Sequence, residues 1–332
     1  DASDPELFIQ TVKAIAPTFG GINLEDIKAP EAFEIERRLK AELDIPVMHD
    51  DQHGTAIISS AALLNALELA GKKIQKVKIL VSGAGAAAMS CAQLYYSLGA
   101  QLENIYMYDS KGLICQERTD LDELKKMFAV HKKSVPFEKA FKNMDVFLGL
   151  SKAGLVSKEM IKDMAKDPIV FALANPEPEI NYKDAMSVRK DIIMATGRSD
   201  HPNQVNNVLG FPYIFRGALD VRATTINEEM KLAAVKAIAS LAKETIPEEV
   251  IEAYGEKNIS FGREQIIPKP LDPILIYYVS PAVAKAAMDS GVAKNPILNW
   301  EAYEDELKSR LGLDNKLVRN ITSKAQSNPK TV

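Results

Sequence analysis

The stretch HDDQHGT, residues 49–55, sets two adjacent carboxylates, Asp50 and Asp51, between His49 and His53. Two metal chemistries fit such a pattern. On a helix, His49 and His53 would stand one turn apart and offer two imidazoles to a transition metal. That reading lacks the glutamate of an HExxH helix, and DIPVMHDD has the character of a strand ending at the acid pair, so helical spacing need not apply. The other reading uses the acids, and GGINLEDIKAP supplies partners in Glu25 and Asp26 at the end of a second apolar run. Three carboxylates converging from two strand ends suit a hard octahedral cation, Mg²⁺ or Mn²⁺, with substrate oxygens and water completing the shell. Asp26 and Asp51 also precede helical segments and would serve as N-caps. Composition alone leaves both readings of the acids open.

A second constellation lies in VKILVSGAGAAAMSCAQLYYSLGA, a strand, a small-residue turn and a helix in the order a dinucleotide fold requires. Its turn residues, Gly83, Ala84, Gly85, Ala86, Ala87 and Ala88, are the expected cofactor contacts. Gly83 permits the tight turn, Gly85 lets the backbone approach a pyrophosphate, and Ala88 lets helix and strand pack closely. The helix N-terminus then faces the phosphates. The next strand ends at Asp109, where an acid can accept the adenosine ribose hydroxyls. Its charge favours NAD, yet Ser110 and Lys111 follow it and can hold a 2′-phosphate, so NAD and NADP both remain open.

These residues need a frame. VKILVSG, NIYMYD, DVFLGLS, PIVFALAN and IIMATG are short apolar runs separated by helix-length amphipathic stretches, the pattern of a doubly wound parallel sheet of Rossmann-like α/β type. Residues 3–48 supply two helical segments around TFGGINLED, too little chain for a domain alone, with the first helix expected to start at Ser3. TTINEEMKLAAVKAIASLAKE reads as an amphipathic helix opened by a capping box from Thr225 to Glu228. The tail from about 271 is again helical.

With 332 residues and a formal net charge of −4, the chain can bury a large core but has no basic stripe for nucleic acid. The most apolar late segment, LDPILIYYVSPAVAKAAM, holds two prolines and falls short of the roughly 20 residues of a membrane span. Cys91 and Cys115 form no CxxC pair, which fits a reducing cytoplasm. The Asn-x-Ser/Thr matches at Asn258 and Asn320 are short enough to be chance.

FGGINLEDIKAPEAFEIERRL and IPVMHDDQHGTAI, the GAGAAA turn, ALANPEPEI, and GRSDHPNQVNNVLGFPYIFRGALDVRA together resemble the bacterial-type malic enzymes, from the first helix to about residue 290. The resemblance implies oxidative decarboxylation of L-malate to pyruvate and CO₂ with reduction of NAD or NADP, dependent on Mg²⁺ or Mn²⁺. It implies Glu25, Asp26 and Asp51 as metal ligands and Asp50 as the acid that pairs with a catalytic lysine. Asn175 and Asn207 match substrate-binding amides, while Asn206 and Thr55 match cofactor contacts. A cytoplasmic homodimer is the family expectation. The implied organisation is a remainder of an N-terminal substrate and metal domain over 1–48, a NAD(P)-binding Rossmann domain over 49–270, and a C-terminal helical tail over 271–332 packing back on the substrate domain.

The family's tyrosine acid and general-base lysine belong to a GLPVMEGK-like motif that has no counterpart in this sequence, and the chain opens DASDPELF without Met, as if cut from something longer. The competing reading is a catalytically silent nucleotide-binding or regulatory module. A dehydrogenase for amino acids or folates would leave Glu25, Asp26 and Asp51 without a role. The expected outcome for the 332-residue chain is therefore binding of NAD or NADP in a calorimetric titration with no reduced cofactor formed from malate and Mn²⁺, since that reaction needs a positioned proton donor and acceptor. Steady production of reduced cofactor would refute the assignment of the base.

Overall fold

The computed structural model describes residues 3–246, 248–255, 260–270 and 272–310; Asn258, Asn320 and the tail beyond 310 lie outside the described residues. The chain begins with helix α1 (Pro5–Ile15), strand β1 (Ile22–Leu24), helix α2 (Glu31–Glu42) and strand β2 (Val47–His49). The cap of α1 is Asp4 rather than Ser3, because the Asp4 carboxylate reaches the Glu6 N–H at 3.1 Å and Pro5 needs no partner at the first helical position. β1 and β2 pair in parallel, with Ile22 opposite Val47 and Leu24 opposite His49. Ile9 and Val12 of α1 and Ile35 and Leu39 of α2 cover this two-stranded sheet through Leu24 and Val47.

Helix α3 (Asp50–Leu69) follows β2 without a break and leads into the main sheet. That sheet holds β3 (Ile79–Ser82), β4 (Ile105–Asp109), β5 (Gly112–Leu113), β6 (Val146–Gly149), β7 (Ile169–Ala172) and β8 (Ile193–Thr196), in the order β5-β4-β3-β6-β7-β8. All pairings are parallel except β4 with β5, a two-residue edge strand that the polar DSKG segment did not suggest. Each of the five expected apolar runs carries a parallel strand. The sheet is buried on both faces, as such runs require: Ile79 and Val81 join one core while Leu80 joins the other. Helices α4 (Ala86–Ser97) and α3 pack together in the first of these cores, and short helices α5 (Glu123–Lys126), α6 (Phe137–Ala140), α7 (Lys158–Asp163) and α8 (Tyr182–Val188) connect the later strands. Strand order reverses at β3, with β4 on one side and β6 on the other, which opens a crevice beyond the carboxyl ends of these strands.

Further helices follow, α9 (Phe211–Asp220), α10 (Glu228–Leu241), α11 (Glu248–Tyr254) and α12 (Leu275–Asp289), and residues 300–310 are helical as well. The cap of α10 is Asn227, whose side chain accepts the Met230 N–H at 3.0 Å, and not the expected Thr225. Asn227 adjoins the first turn directly, so its short amide reaches the third helical N–H while Thr225 stands two residues too early. α12 packs against both α9 and α10. Gly217 makes the approach to α9 close, because a methyl there would sit 2.4 Å from the Ser280 carbonyl oxygen. Just beyond α12, Lys294 forms an ion pair with Asp44, tying the late chain to its first segment. No described helix is long and apolar enough to cross a membrane.

α3 is buried along most of its length, and deep in its interior Asn65 ties it to the chain around it. Its amide, 1% exposed, donates to the carbonyls of Ala239 and Ile266, both at 2.9 Å. Asn65→Ala would leave two buried carbonyls without that donor, and the expected loss of stability is about 2 kcal/mol or more. A urea unfolding midpoint equal to that of the unsubstituted chain would contradict it.

Candidate active site

The crevice at the reversal point is a cavity of about 580 Å³ walled by Gly83, Ala84, Gly85, Asp109, Leu150, Ser151 and Lys152 among others. Gly83 has φ of +114°, and a Cβ on it would lie 2.5 Å from the Leu150 carbonyl oxygen, so only glycine fits. Gly85 caps α4, and nothing lies within 4 Å of where its Cβ would be, which leaves the backbone open to a phosphate. Ala86 and Ala87 form the first turn of α4 without walling the cavity, and Ala88 is buried behind the turn, 3.7 Å from the Gly83 Cβ position. Ala88 therefore packs behind the turn, and of this motif Gly83, Ala84 and Gly85 wall the cavity.

Asp109 faces this cavity from the end of β4, but its oxygens are occupied. Arg118 grips it with Nη1 to Oδ1 at 2.7 Å and Nη2 to Oδ2 at 3.0 Å, and the Lys111 N–H donates to Oδ1 at 2.9 Å. Lys125 Nζ stands 3.7 Å from Oδ2. Burial works to raise the Asp109 carboxyl, yet these donors hold it below the usual range. Arg118 also binds Asp120, so its guanidinium is held from both sides. Sequence reading overlooked Arg118 because nothing in its neighbourhood marks a residue that reaches back nine positions across a loop.

The carboxylates meet next to this crevice. Leu24 pairs with His49, so the residues that follow, Glu25 and Asp26 on one strand and Asp50 and Asp51 on the other, emerge side by side. Neither suspected cap is one: the N-cap of α3 is His49, that of α2 is Pro30, and Asp26 adopts φ of +55° ahead of it. A cavity of about 370 Å³ is walled by Glu25, Asp50, Asp51, Thr55, Asn175, Asn206 and Asn207, and it shares Leu150 with the first. The Asp26 side chain is exposed and outside that wall; its backbone N–H donates to Asp51 Oδ2 at 2.9 Å. Glu25 accepts from the Asn23 amide at 2.9 Å. No group of three His, Cys, Asp or Glu among the described residues stands close enough to share one ion. Nor does any described Lys or Arg form an ion pair with Glu25, Asp26, Asp50 or Asp51. The donor set is hard oxygen with uncompensated negative charge, which suits a divalent cation in kind.

The histidines serve the scaffold. His49 Nε2 lies 3.3 Å from the Ile27 carbonyl oxygen, and His53 Nε2 lies 2.9 Å from Glu36 Oε2. Burial brings the His53 imidazole down to about 4, against the pull of Glu36, so at neutral pH it is an uncharged donor to that carboxylate. Glu36 also accepts the His49 N–H at 3.1 Å and pairs with Lys40 at 2.8 Å. α2 thereby holds the start of α3.

Asp50 is the buried acid, 3% exposed, and its Oδ1 has no hydrogen-bond partner. Burial pushes its carboxyl up to about 6; the Asn207 amide opposes this and the charges of Glu25 and Asp51 add to it. Asn207 is oriented at both ends, by the Thr55 hydroxyl donating to its Oδ1 at 3.2 Å and by its Nδ2 donating to the Asp50 carbonyl oxygen at 3.3 Å. Asn206 accepts the Val208 N–H at 3.0 Å through Oδ1. Gly54 makes this arrangement possible, since a Cβ there would lie 2.1 Å from Asp50 Oδ1 and 2.9 Å from the Asn207 amide. The HGT of the opening motif was the signal for it, though nothing local says what a side chain would strike.

The family model described as malic enzyme, NAD binding domain, matches residues 52–253, and that described as malic enzyme, N-terminal domain, matches residues 2–40. The chain is 53% identical over 326 residues to the NADP-dependent malic enzyme of Haemophilus influenzae, covering 98% of this chain and 43% of that one. It is 53% identical over 308 residues to the NAD-dependent malic enzyme of Rhizobium meliloti, covering 92% of this chain and 40% of that one. The chain thus spans less than half the length of these two relatives. The crystal structure of a malic enzyme from Pyrococcus horikoshii superposes with a TM-score of 0.85 at 40% identity, covering 98% of this chain and 73% of that one.

Gly54 provides a test of the packed geometry. A glycine-to-alanine change within a helix ordinarily gains about 1 kcal/mol. Here the sign should reverse, with Gly54→Ala costing roughly 1–3 kcal/mol as the methyl displaces Asp50 and Asn207. A higher urea midpoint for the variant would show that the space is open.

Proposed function

This chain belongs to the malic enzyme family, and we propose that it carries the dinucleotide crevice and most of the substrate and metal site of an enzyme that oxidatively decarboxylates L-malate to pyruvate and CO₂. One observation carries the reading: Glu25, Asp50 and Asp51 from two paired strand ends wall the same cavity as Asn175, Asn206 and Asn207, and Leu150 joins it to the dinucleotide crevice. A silent nucleotide-binding module would need the crevice but not the acids.

Asn175 and Asn207 are proposed to hydrogen-bond the substrate carboxylates. Thr55 fixes the rotation of the Asn207 amide, so that its N–H₂ side is presented consistently. Asn206, in the wall of the same cavity, is proposed to contact the nicotinamide. Glu25, Asp26 and Asp51 would hold Mg²⁺ or Mn²⁺, for which the exposed Asp26 side chain would have to turn inward; when bound, such an ion would supply Lewis acidity toward malate. Asp50 would hold and tune the ammonium of the catalytic lysine through its buried, unpartnered Oδ1. No described residue here fills the roles of that lysine or the tyrosine acid.

For the nucleotide, the fork of Arg118 on Asp109 supports acceptance of a 2′-phosphate, because the carboxylate charge that would repel it is compensated. Both NADP and NAD therefore fit, NADP with the added cations beside Asp109. Residues 1–48 then read as the remainder of a substrate and metal domain, 49–270 as the NAD(P)-binding domain and 271–332 as a tail returning to the first, a division that the spans of the two family models and the Lys294–Asp44 pair support. We further propose a cytoplasmic homodimer. Leu7, Ile15 and Phe19 remain about half exposed along α1 and the turn after it, apolar surface that a second subunit would cover.

In protein that turns over malate, Asp51→Ala should remove Mn²⁺-dependent formation of reduced cofactor by more than the roughly tenfold to hundredfold typical of outer partners of a metal, while the dinucleotide Kd stays within about twofold. Mn²⁺ affinity unchanged in the variant would overturn the metal assignment.

A further inference from the structure

Glu179 is a carboxylate that neither cavity displays and that is 0% exposed. Its two oxygens have separate tasks. Oε1 accepts the Ser151 N–H at 2.9 Å, and Oε2 accepts the Ala174 N–H at 3.2 Å. Ser151 follows β6 in the wall of the dinucleotide crevice, and Ala174 follows β7 immediately before Asn175 in the substrate cavity. Room for the carboxylate exists only because residue 149 is glycine: a Cβ there would lie 2.3 Å from its carbon and 2.5 and 2.7 Å from its oxygens.

The tie continues on both sides. The Ser151 hydroxyl lies 2.7 Å from that of Ser82, the last residue of β3 before the Gly83 turn. The Leu150 N–H donates to the Ser82 carbonyl at 2.8 Å, and the Leu173 N–H donates to the Gly149 carbonyl at 3.0 Å. Further along, the N–H groups of Gly154 and Val156 donate to the carbonyls of Pro178 and Glu179 at 3.1 and 3.0 Å, so the loop after β6 and the loop after β7 are stitched together. A neutral acceptor would be enough to satisfy one amide. Two amides from different loops, drawn to one buried anion, fix the distance between those loops, and charge-assisted bonds of this kind are the stronger ones. Burial raises the carboxyl above its ordinary range, and the backbone donors oppose that rise.

We propose that Glu179 is a positioning residue that sets the separation between the pyrophosphate turn with Leu150 and Ser151 on one side and Asn175 on the other, and so the register of the nicotinamide against the substrate. The proposal rests on the reading of the two cavities as dinucleotide and malate sites. Glu179 touches neither ligand; it acts through the backbone of Ser151 and Ala174.

The test uses Glu179→Gln and Glu179→Asp, with NADP⁺ as the probe. Glutamine has the same shape but offers one acceptor, so an N–H₂ group must face one of the two amides; aspartate keeps the charge but is one methylene too short to reach both. Calorimetric titration well below the unfolding midpoint of each variant should show NADP⁺ bound about tenfold or more weakly, with faster hydrogen exchange at the Ser151 and Ala174 amides. In protein that turns over malate, kcat should fall as well as the cofactor KM rise. A residue important only for stability would lower the unfolding midpoint and leave the Kd and the exchange of the folded fraction unchanged, which overturns the proposal. Failure of both variants to fold would overturn it too, by making Glu179 a purely structural group. Failure of the unsubstituted chain to bind NADP⁺ would instead overturn the reading of the crevice.

Discussion

The parallel pairing of β1 with β2 is the constraint on which the site depends. The ladder is three residues long on each side, yet its register decides that Glu25 and Asp26 emerge beside Asp50 and Asp51. A slip of one residue would reverse which side chains of β1 face the core, and Leu24, now 2% exposed between α1 and α2, would leave it. Four acids at one end of so short a ladder repel one another, so the pairing must be held from behind. The apolar cluster of Ile9, Val12, Ile35, Leu39 and Val47 does part of this, and Glu36 does the rest by binding the His49 N–H and the His53 ring. A buried carboxylate with three donors around it is tolerable where an unpaired one would not be.

The contrast between Glu36 and Asp50 shows how one scaffold treats two buried acids. Glu36 has a backbone N–H, an imidazole and an ammonium to satisfy it, and it serves as an anchor. Asp50 sits one helix away with an oxygen left unpartnered, and burial, with two like charges nearby, pushes its carboxyl up to about 6. Gly54 preserves that condition by keeping a side chain out of the space the Asp50 carboxyl occupies. The two neighbouring acids therefore have opposite stability ledgers: one is fully compensated and inert, the other is held ready for a charge from elsewhere.

The parallel strands were legible in the amino-acid sequence because strands buried on both faces must be continuous apolar runs, and VKILVSG or PIVFALAN can be little else. The carboxylate set and the asparagine loops were legible as residue types at strand ends. Caps were not, because Asp4 and Asn227 each compete with a neighbour of nearly equal propensity, and the choice falls to which side chain reaches an open N–H. Arg118, Glu36 and Glu179 were invisible for a different reason. Each acts on a residue 9 to 28 positions away, through contacts that exist only once loops from separate strands have been brought together. The placement of Asp26 outside the cavity wall follows from a positive φ that no local motif announces.

Leu150 stands in the walls of both cavities, between the glycine turn and the acids. With both cavities filled, a wall common to two ligands would let each act as an effector of the other. Any shift of Leu150 that one occupant favours is felt by the second as a change in affinity, and thermodynamic linkage requires the factor to be the same in both directions. Cooperativity between cofactor and substrate would then need no distant relay and no second conformation of the whole chain, only a preference for where one leucine backbone lies.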